Sequence, residues 1–484
     1  MKKRFIILFT LVSFFSCDSY LDEVPDNRQE VKTLDDVSEL LVSAYSRATY
    51  NFVEAKSDNA TYIIQNTQYP WMTENYTYIP VVSSEQQDTP TYFWDNTYNA
   101  IAHANQALVG LSEIDGGDDD FRNSLKGEAL VSRAYNHFML ANIFALHYSE
   151  ANKSALGIPY ITAPETELSV SYERGTLEET YNLIEKDLLE GLPLISDDYY
   201  VGTGKYHFNK SAAYAFASRF YLFKGDYVKC IEYSNKLLGE GVVSINYIRD
   251  MDEVFTGTGS VQIANNFIDV SKPSNLLVVR KESFAVTRYT RGFQANSALL
   301  TEIYDQDNPQ GSSDFRDLGY GFSSSSARTP PKYTELFEYT TSTTGFAYFI
   351  MPELRSEEVL LNRMEAYIME NRLEDALNDY NTMAPLRYSN GGQLTLGEVA
   401  AYYGGTEKDA MFSLVISERR KEFLREGLRW FDIKRLGLEV YHVVSTDGDG
   451  NVVTDVTLAG DDLRKAEQLP AKAIANGIEE NPGY

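Results

Sequence analysis

Two stretches far apart in the chain carry the same helix–turn–helix pattern, and this limits the fold more than any other feature. The first runs from Ser211 to Leu238 and turns at Lys224-Gly225-Asp226-Tyr227; the second runs from Glu357 to Met383. At one constant offset Tyr221 matches Tyr367, Gly225 matches Asn371, Cys230 matches Ala376 and Ile231 matches Leu377. Small residues at fixed places around a tight turn let two helices pack closely and stack on neighbouring pairs.

That is the logic of tetratricopeptide-type repeats, but the copies are separated, so other material is inserted between them. Helical periodicity also marks Leu34 to Ala44 behind a capping Thr33, then Trp94 to Leu111 and Leu125 to Tyr148. The capping box Thr176-Leu177-Glu178-Glu179 opens a further helix that ends near Leu189. Residues 51–92 lose the period and read as loops with short extended pieces. The insert, about 242–350, reads as short strands and long loops, and loops of that length usually serve a function or stay disordered. Tyr441 to Val456 reads as a β-hairpin. The expected fold is therefore mostly α, helix pairs plus an irregular region with short strands.

The N-terminus sets a destination. Lys2-Lys3-Arg4, the apolar run Phe5 to Phe15 and Ser16-Cys17 have the order of a secretory signal peptide, residues 1–16. The apolar run is about eleven residues, against about 20 for a membrane span. Cys17 at the end of the signal reads as a lipoprotein cysteine, and several acyl chains anchor stably at about 0.8 kcal/mol per buried CH₂. Asp18 to Pro25 reads as a polar tether.

Charge and residue types narrow the functions. Seventy acidic against 43 basic residues give a net charge of −27, which repels a phosphate backbone and argues against nucleic acid. With Cys17 lipidated, Cys230 has no partner and reads as a buried structural thiol. The 35 Tyr and 25 Phe serve two ends, packing helix pairs and offering flat amphipathic surface to a ligand. Motifs for a nucleophilic serine, a zinc protease, a phosphate loop or a zinc cluster are missing from the sequence, so no enzyme, cofactor or metal is expected. Asp447-Gly448-Asp449-Gly450-Asn451 imitates a calcium loop, but Val452 and Leu458 stand where an EF-hand needs Gly and Glu.

The segment Ser417-Glu418-Arg419-Arg420-Lys421-Glu422-Phe423-Leu424-Arg425-Glu426-Gly427-Leu428-Arg429-Trp430-Phe431-Asp432-Ile433-Lys434-Arg435 resembles the SusD/RagB family of nutrient-binding lipoproteins of the Bacteroidota outer membrane. Gly157-Ile158-Pro159-Tyr160-Ile161, Gly225-Asp226-Tyr227, Leu469-Pro470 and the ending Asn481-Pro482-Gly483-Tyr484 agree in order. The resemblance implies one SusD-like domain over 17–484 with four tetratricopeptide-like helix pairs, anchored by lipid and exposed at the cell surface. It also implies a SusC-like TonB-dependent transporter as partner, with this protein as its hinged lid, and an oligosaccharide or, as in RagB-type members, a peptide as ligand. A glycoside hydrolase or a pure scaffold are the lesser alternatives. Glu418, Glu422 and Asp432, beside Arg419, Arg425 and Arg429, fit salt bridges and caps around a buried Trp430-Phe431 rather than catalysis.

Of the three tryptophans, Trp94 and Trp430 sit in helical patterns and read as core. Trp71 remains, in the non-periodic Gln68 to Tyr76 that follows Ser57-Asp58-Asn59. Some glycan-binding members stack sugar on a Trp from this region; by that resemblance Trp71 is a ligand contact, with Asn75 and Asp58 beside it. The insert offers Phe267, Arg288, Tyr289, Arg291, Phe293, Tyr320 and Phe322, of which Tyr289 is the chosen contact. A flat ring covers the apolar face of a sugar while Asn, Asp or Arg bond its edge. Each platform contributes on the order of 1–2.5 kcal/mol, which suits weak capture and release.

Overall fold

The computed structural model describes residues 31–61, 69–165, 170, 172–200, 202, 204–255, 259–283, 285–286, 293–317, 320–321, 328–446 and 451–484. In chain order these hold α1 (Leu34–Leu41), α2 (Pro70–Tyr76), α3 (Pro90–Glu113), α4 (Asp119–Phe144), α5 (Leu177–Gly191), α6 (Lys210–Lys224), α7 (Tyr227–Leu238), α8 (Met251–Phe255) and α9 (Ser260–Ile268). There follow β1 (Asn275–Glu282), α10 (Ser297–Leu300), β2 (Tyr320–Gly321), β3 (Arg328–Thr329), β4 (Leu336–Tyr339), β5 (Gly345–Arg355), α11 (Ser356–Met369) and α12 (Leu373–Met383). The C-terminal part adds α13 (Leu396–Tyr403), α14 (Glu407–Glu422), α15 (Leu428–Arg435), β6 (Val440–Thr446), β7 (Val452–Leu458) and α16 (Ala471–Ala475). Among the described residues no helix is long and apolar enough to cross a membrane. Cys17 and the signal lie outside them.

The fold is mostly helical, as expected, and among the described residues consecutive helices pack in pairs, α3/α4, α4/α5, α6/α7, α11/α12 and α13/α14. The matched turns of α6/α7 and α11/α12 are alike in detail. Gly225 has φ 79° and Asn371 φ 59°, both left-handed, the conformation with which a helix commonly ends and which Gly and Asn tolerate best. In each the next amide reaches back to the matched tyrosine carbonyl: Asp226 N–H to Tyr221 O at 3.0 Å, Arg372 N–H to Tyr367 O at 2.7 Å. Small side chains then let α7 nest between α6 and α11: Ser218 and Ser234 hydroxyls meet at 2.9 Å, and the Cys230 thiol donates to Asn362 O at 3.7 Å. Cys230 is fully buried and burial pushes its thiol up to about 12, so it is the structural thiol anticipated.

Buried arginine forks fasten neighbouring helices. Arg133 of α4 grips Asp187 of α5 at 2.7 and 2.8 Å, Arg219 of α6 grips Glu358 of α11 at 2.6 Å twice, and Arg363 of α11 grips Asp379 of α12 at 2.8 and 2.7 Å. Two parallel N–H···O bonds fix both distance and orientation, which a point charge does not.

Capping fixes where helices start. Thr33 and Thr176 both form reciprocal capping boxes, with Asp36 and Glu179. The helix read as starting at Trp94 starts at Pro90, behind the Thr89 cap. The region read as loop, 51–92, holds a 3-10 turn at Asn51–Lys56 and the helix α2, so Trp71 stands on a helix, not on a loop. Pro70 at the first helical position starts α2 by presetting φ.

The insert carries an antiparallel sheet of order β1-β5-β4, and its helices α8, α9 and α10 were not anticipated. β5 runs straight into α11, which ties the sheet to the helical scaffold. The β6/β7 hairpin is present as read; its turn, 447–450, lies outside the described residues.

Candidate functional site

A cavity of about 70 Å³ opens where α2, the 3-10 turn 51–56, the loop before α3, residues 285–286 and 293–295, and the middle of the Ser417–Arg435 segment meet. That is room for a few water molecules. Trp71, Met72, Phe52 and Phe293 form its apolar walls; Asn75, Glu54, Asp88 and Arg425 bring polar atoms to it.

Trp71, the first choice from sequence, and Asn75, one of the two next, both line this cavity. Trp71 is only 7% exposed; its indole N–H donates to Gln86 Oε1 at 3.1 Å, and its ring lies 16° from the plane of Tyr69 at 6.3 Å. Asn75 is buried and its amide N–H donates to Phe52 O at 2.7 Å. Its carbonyl oxygen Oδ1 is buried and has no hydrogen-bond partner among the described residues. A buried acceptor left unbonded costs about 1–3 kcal/mol, which a donor entering the cavity would recover.

The charged rim is rigid. Glu54 is buried and accepts from the backbone N–H groups of Arg425 and Gly427, each at 2.9 Å, and from Asn59 Nδ2 at 3.1 Å. Burial lifts its pKa above the usual carboxylate range, while those donors pull it back. Asn51 Nδ2 donates to Arg425 O at 2.8 Å. Arg425 and Asp88 both hold left-handed backbone, with φ 69° and 66°. Such conformations are uncommon for residues with a side chain and persist where the surroundings over-determine them.

Phe293 is backed by a ladder of flat rings. It stacks on Tyr76 at 3.9 Å and 8°, Tyr76 on His442 at 4.1 Å and 3°, His442 on Tyr78 at 5.3 Å, and Tyr78 on Trp430 at 6.3 Å. The β6/β7 hairpin supplies His442 and holds Tyr76 a second time, through its hydroxyl to Val443 O at 3.0 Å. One wall of the cavity thus leads by ring contacts to the fully buried Trp430.

Asp58 does not line the cavity. Arg429 takes its carboxylate as a fork at 2.8 and 2.7 Å, with Arg420 at 3.7 Å. Burial opposes the charge, but the Arg429 and Arg420 guanidinium groups hold the carboxyl below the usual range. Phe267 of the insert is buried in the core, under Arg249 at 4.2 Å, away from the cavity. Tyr289, with Arg288 and Arg291, lies outside the described residues. Sequence reading missed Phe52, Glu54, Gln86 and Asp88; Arg425 stood in the fingerprint, where it was assigned to salt bridges.

The acids of the fingerprint are structural, as expected: Asp432 pairs within the segment, whereas the arginines on Glu418 and Glu422 come from elsewhere in the chain. Glu422 meets Arg387 at 2.8 Å, Arg355 at 3.1 Å and Arg316 at 3.4 Å; Glu418 meets Arg316 at 2.8 Å; Asp432 meets Arg435 at 2.8 Å and Arg419 at 3.1 Å. All three acids are buried and held ionised below the usual range by these cations, against the pull of burial. Trp94 is core, edge-on to Phe144 at 4.9 Å.

A SusD-like family model, described as starch-binding and associating with the outer membrane, matches residues 19–222, and the SusD family model matches residues 283–474. A SusD-like protein of Formosa agariphila is 22% identical, over 89% of this chain and 90% of its own length. Among solved structures, a SusD superfamily protein of Bacteroides vulgatus ATCC 8482 is 17% identical with a TM-score of 0.68, covering 94% of this chain and 99% of that one. A laminarin-binding SusD-like protein is also 17% identical, with a TM-score of 0.63, covering 94% of this chain and 100% of its own. At these identities the solved structures establish the shared fold.

Proposed function

The chain belongs to the SusD/RagB family, whose members associate with the outer membrane, and from that premise we propose that it captures a glycan at the Trp71 cavity for import. In this reading Cys17 carries the lipid anchor, the protein faces outward, and a SusC-like TonB-dependent transporter receives the ligand. It works by binding and release, without turnover.

The observation that carries it is the pairing of flat apolar walls, Trp71 and Phe293, with the unbonded Asn75 Oδ1 in one cavity. A sugar ring offers C–H groups to the rings and a hydroxyl donor to the carbonyl. The laminarin-binding relative supports a glycan over a peptide. The fingerprint acids do not act as a hydrolytic pair, since each is sealed from solvent by its arginines.

The cavity of about 70 Å³ is too small for a sugar ring as it stands; in this reading it widens on capture as Trp71 leaves Gln86. Affinity electrophoresis of the mature protein through gels of laminarin, starch, mannan, xylan and galactan tests the reading, with a peptide panel alongside. Retardation by at least one glycan that Trp71→Ala abolishes is the expected result. Saturable peptide binding with no glycan retardation overturns it.

A further inference from the structure

Beside the cavity the β4/β5 hairpin carries exposed aromatic side chains: Phe337 is 41% and Tyr339 68% exposed. β4 pairs Phe337 with Ala347 and Tyr339 with Gly345. Directly opposed residues share a face, so the two rings lie on the side of the sheet where Ala347, Phe349 and Met351 turn inward and are buried. The hairpin outruns the core, and its inward face there presents these rings instead of packing them. The rings sit 4.6 Å apart at 59°. Gly345 lies beneath them: a Cβ on it would run into Glu338 O and stand 2.8 Å from Phe337 Cε1, so the glycine serves both the strand pairing and the ring. On the opposite face Arg280 lies 4.1 Å over the Tyr348 ring and pairs with Glu338, so that side is already occupied.

The shelf adjoins the cavity. Ala347 O accepts from Ser283 N–H at 3.1 Å and from Gln87 Nε2 at 3.2 Å. Gln86, the next residue, holds the Trp71 indole, and Ala285, two residues after Ser283, lines the cavity. The turn that joins β4 to β5 is Thr340-Thr341-Ser342-Thr343-Thr344, a row of neutral hydroxyls.

We propose that Phe337 and Tyr339 form a second stacking platform, which takes the part of a neutral oligosaccharide that extends beyond the Trp71 cavity. This rests on the glycan reading above. Two flat rings with a hydroxyl rim match the C–H faces and edges of a sugar chain. The ligand is neutral because, among the described residues, the turn 340–344 offers no cation to an acidic sugar and the protein carries −27.

The test is a length series, from disaccharide to octasaccharide, of whichever glycan in the gel panel retards the wild-type protein, titrated by calorimetry. Wild-type affinity rises with length. Phe337→Ala/Tyr339→Ala keeps the disaccharide affinity and loses the rise, on the order of tenfold at the longest oligomer. Tyr339→Phe, which keeps the ring, keeps the rise, and Tyr339→Ala alone tests the more exposed ring if the double variant melts early. A double variant that follows wild type at every length overturns the platform and leaves the Trp71 reading standing. Retardation by no glycan in the panel overturns both.

Discussion

His442 lies face to face with Tyr76, 4.1 Å away and 3° from parallel, and its two ring nitrogens each approach a backbone carbonyl at 2.9 Å, Nδ1 that of Tyr76 and Nε2 that of Ser57. The side chain therefore fixes both the ring behind Phe293 and the backbone before Asp58. A residue on the C-terminal hairpin sets the back wall of a cavity built mostly from the first hundred residues.

Replacing His442 by Ala removes that support. The Tyr76 and Phe293 rings lose their backing, and the carbonyl that takes the one N–H of the neutral ring loses its donor. We expect a loss of about 2–4 kcal/mol in stability, from the cavity left behind and the buried carbonyl left without a donor. Glycan affinity falls with it. His442→Phe keeps the stack and loses only the polar contacts, so it retains more affinity than His442→Ala in the same gels.

Trp71 and Gln86 make opposite predictions. Trp71→Ala removes a platform worth on the order of 1–2.5 kcal/mol, which is roughly a six- to seventyfold loss in affinity. Gln86→Ala removes the acceptor that holds the indole in place. It loosens Trp71 and, in the proposed opening, raises the association rate, followed by tryptophan fluorescence in stopped flow. Slower association in Gln86→Ala contradicts the opening step.

The helix pairs were legible because their information is local. Periodicity, the Thr33 and Thr176 boxes, and the Gly225 and Asn371 turns each sit within a few residues of the structure they specify. Trp71 stands on a helix that periodicity does not reveal, since the seven residues of α2 are too few to show a period. Asp58 was misplaced because what occupies it, Arg429, is far away in sequence. The same holds for the fingerprint acids: the helix that bears Glu418 and Glu422 is readable, but Arg316, Arg355 and Arg387 reach them only through the fold.

His137 gives the protein an acid limit. It is fully buried, stacked on Tyr160 at 3.8 Å, with Nδ1 at 2.9 Å from Arg133 O and Nε2 accepting from Ile161 N–H at 3.0 Å. This arrangement needs the neutral ring, and burial drives its pKa down to about 3. The folded-state value lies below the unfolded one, near 6.5, so stability is lost as pH falls from about 6.5 toward 3, at about 1.4 kcal/mol per unit. At pH 5 His137 therefore costs about 2 kcal/mol. His137→Gln keeps a donor and an acceptor without a titrating group, and urea melts across that range show a correspondingly flatter curve.

The arginine forks between helices make the last prediction. Arg219 and Glu358 are both buried and join α6 to α11, the step from one helix pair to the next. Arg219 also donates to Glu353 O at 3.2 Å and to the Tyr135 hydroxyl at 3.3 Å. Arg219→Met alone leaves the Glu358 carboxylate buried without its fork, at about 3–5 kcal/mol. Adding Glu358→Leu removes the stranded charge and returns much of that loss, because two apolar side chains fill the same space without a desolvation cost. Chemical denaturation of wild type, both single variants and the double variant yields the coupling directly. A double variant no more stable than Arg219→Met alone shows instead that the Glu353 and Tyr135 contacts, not the fork, hold α6 to α11.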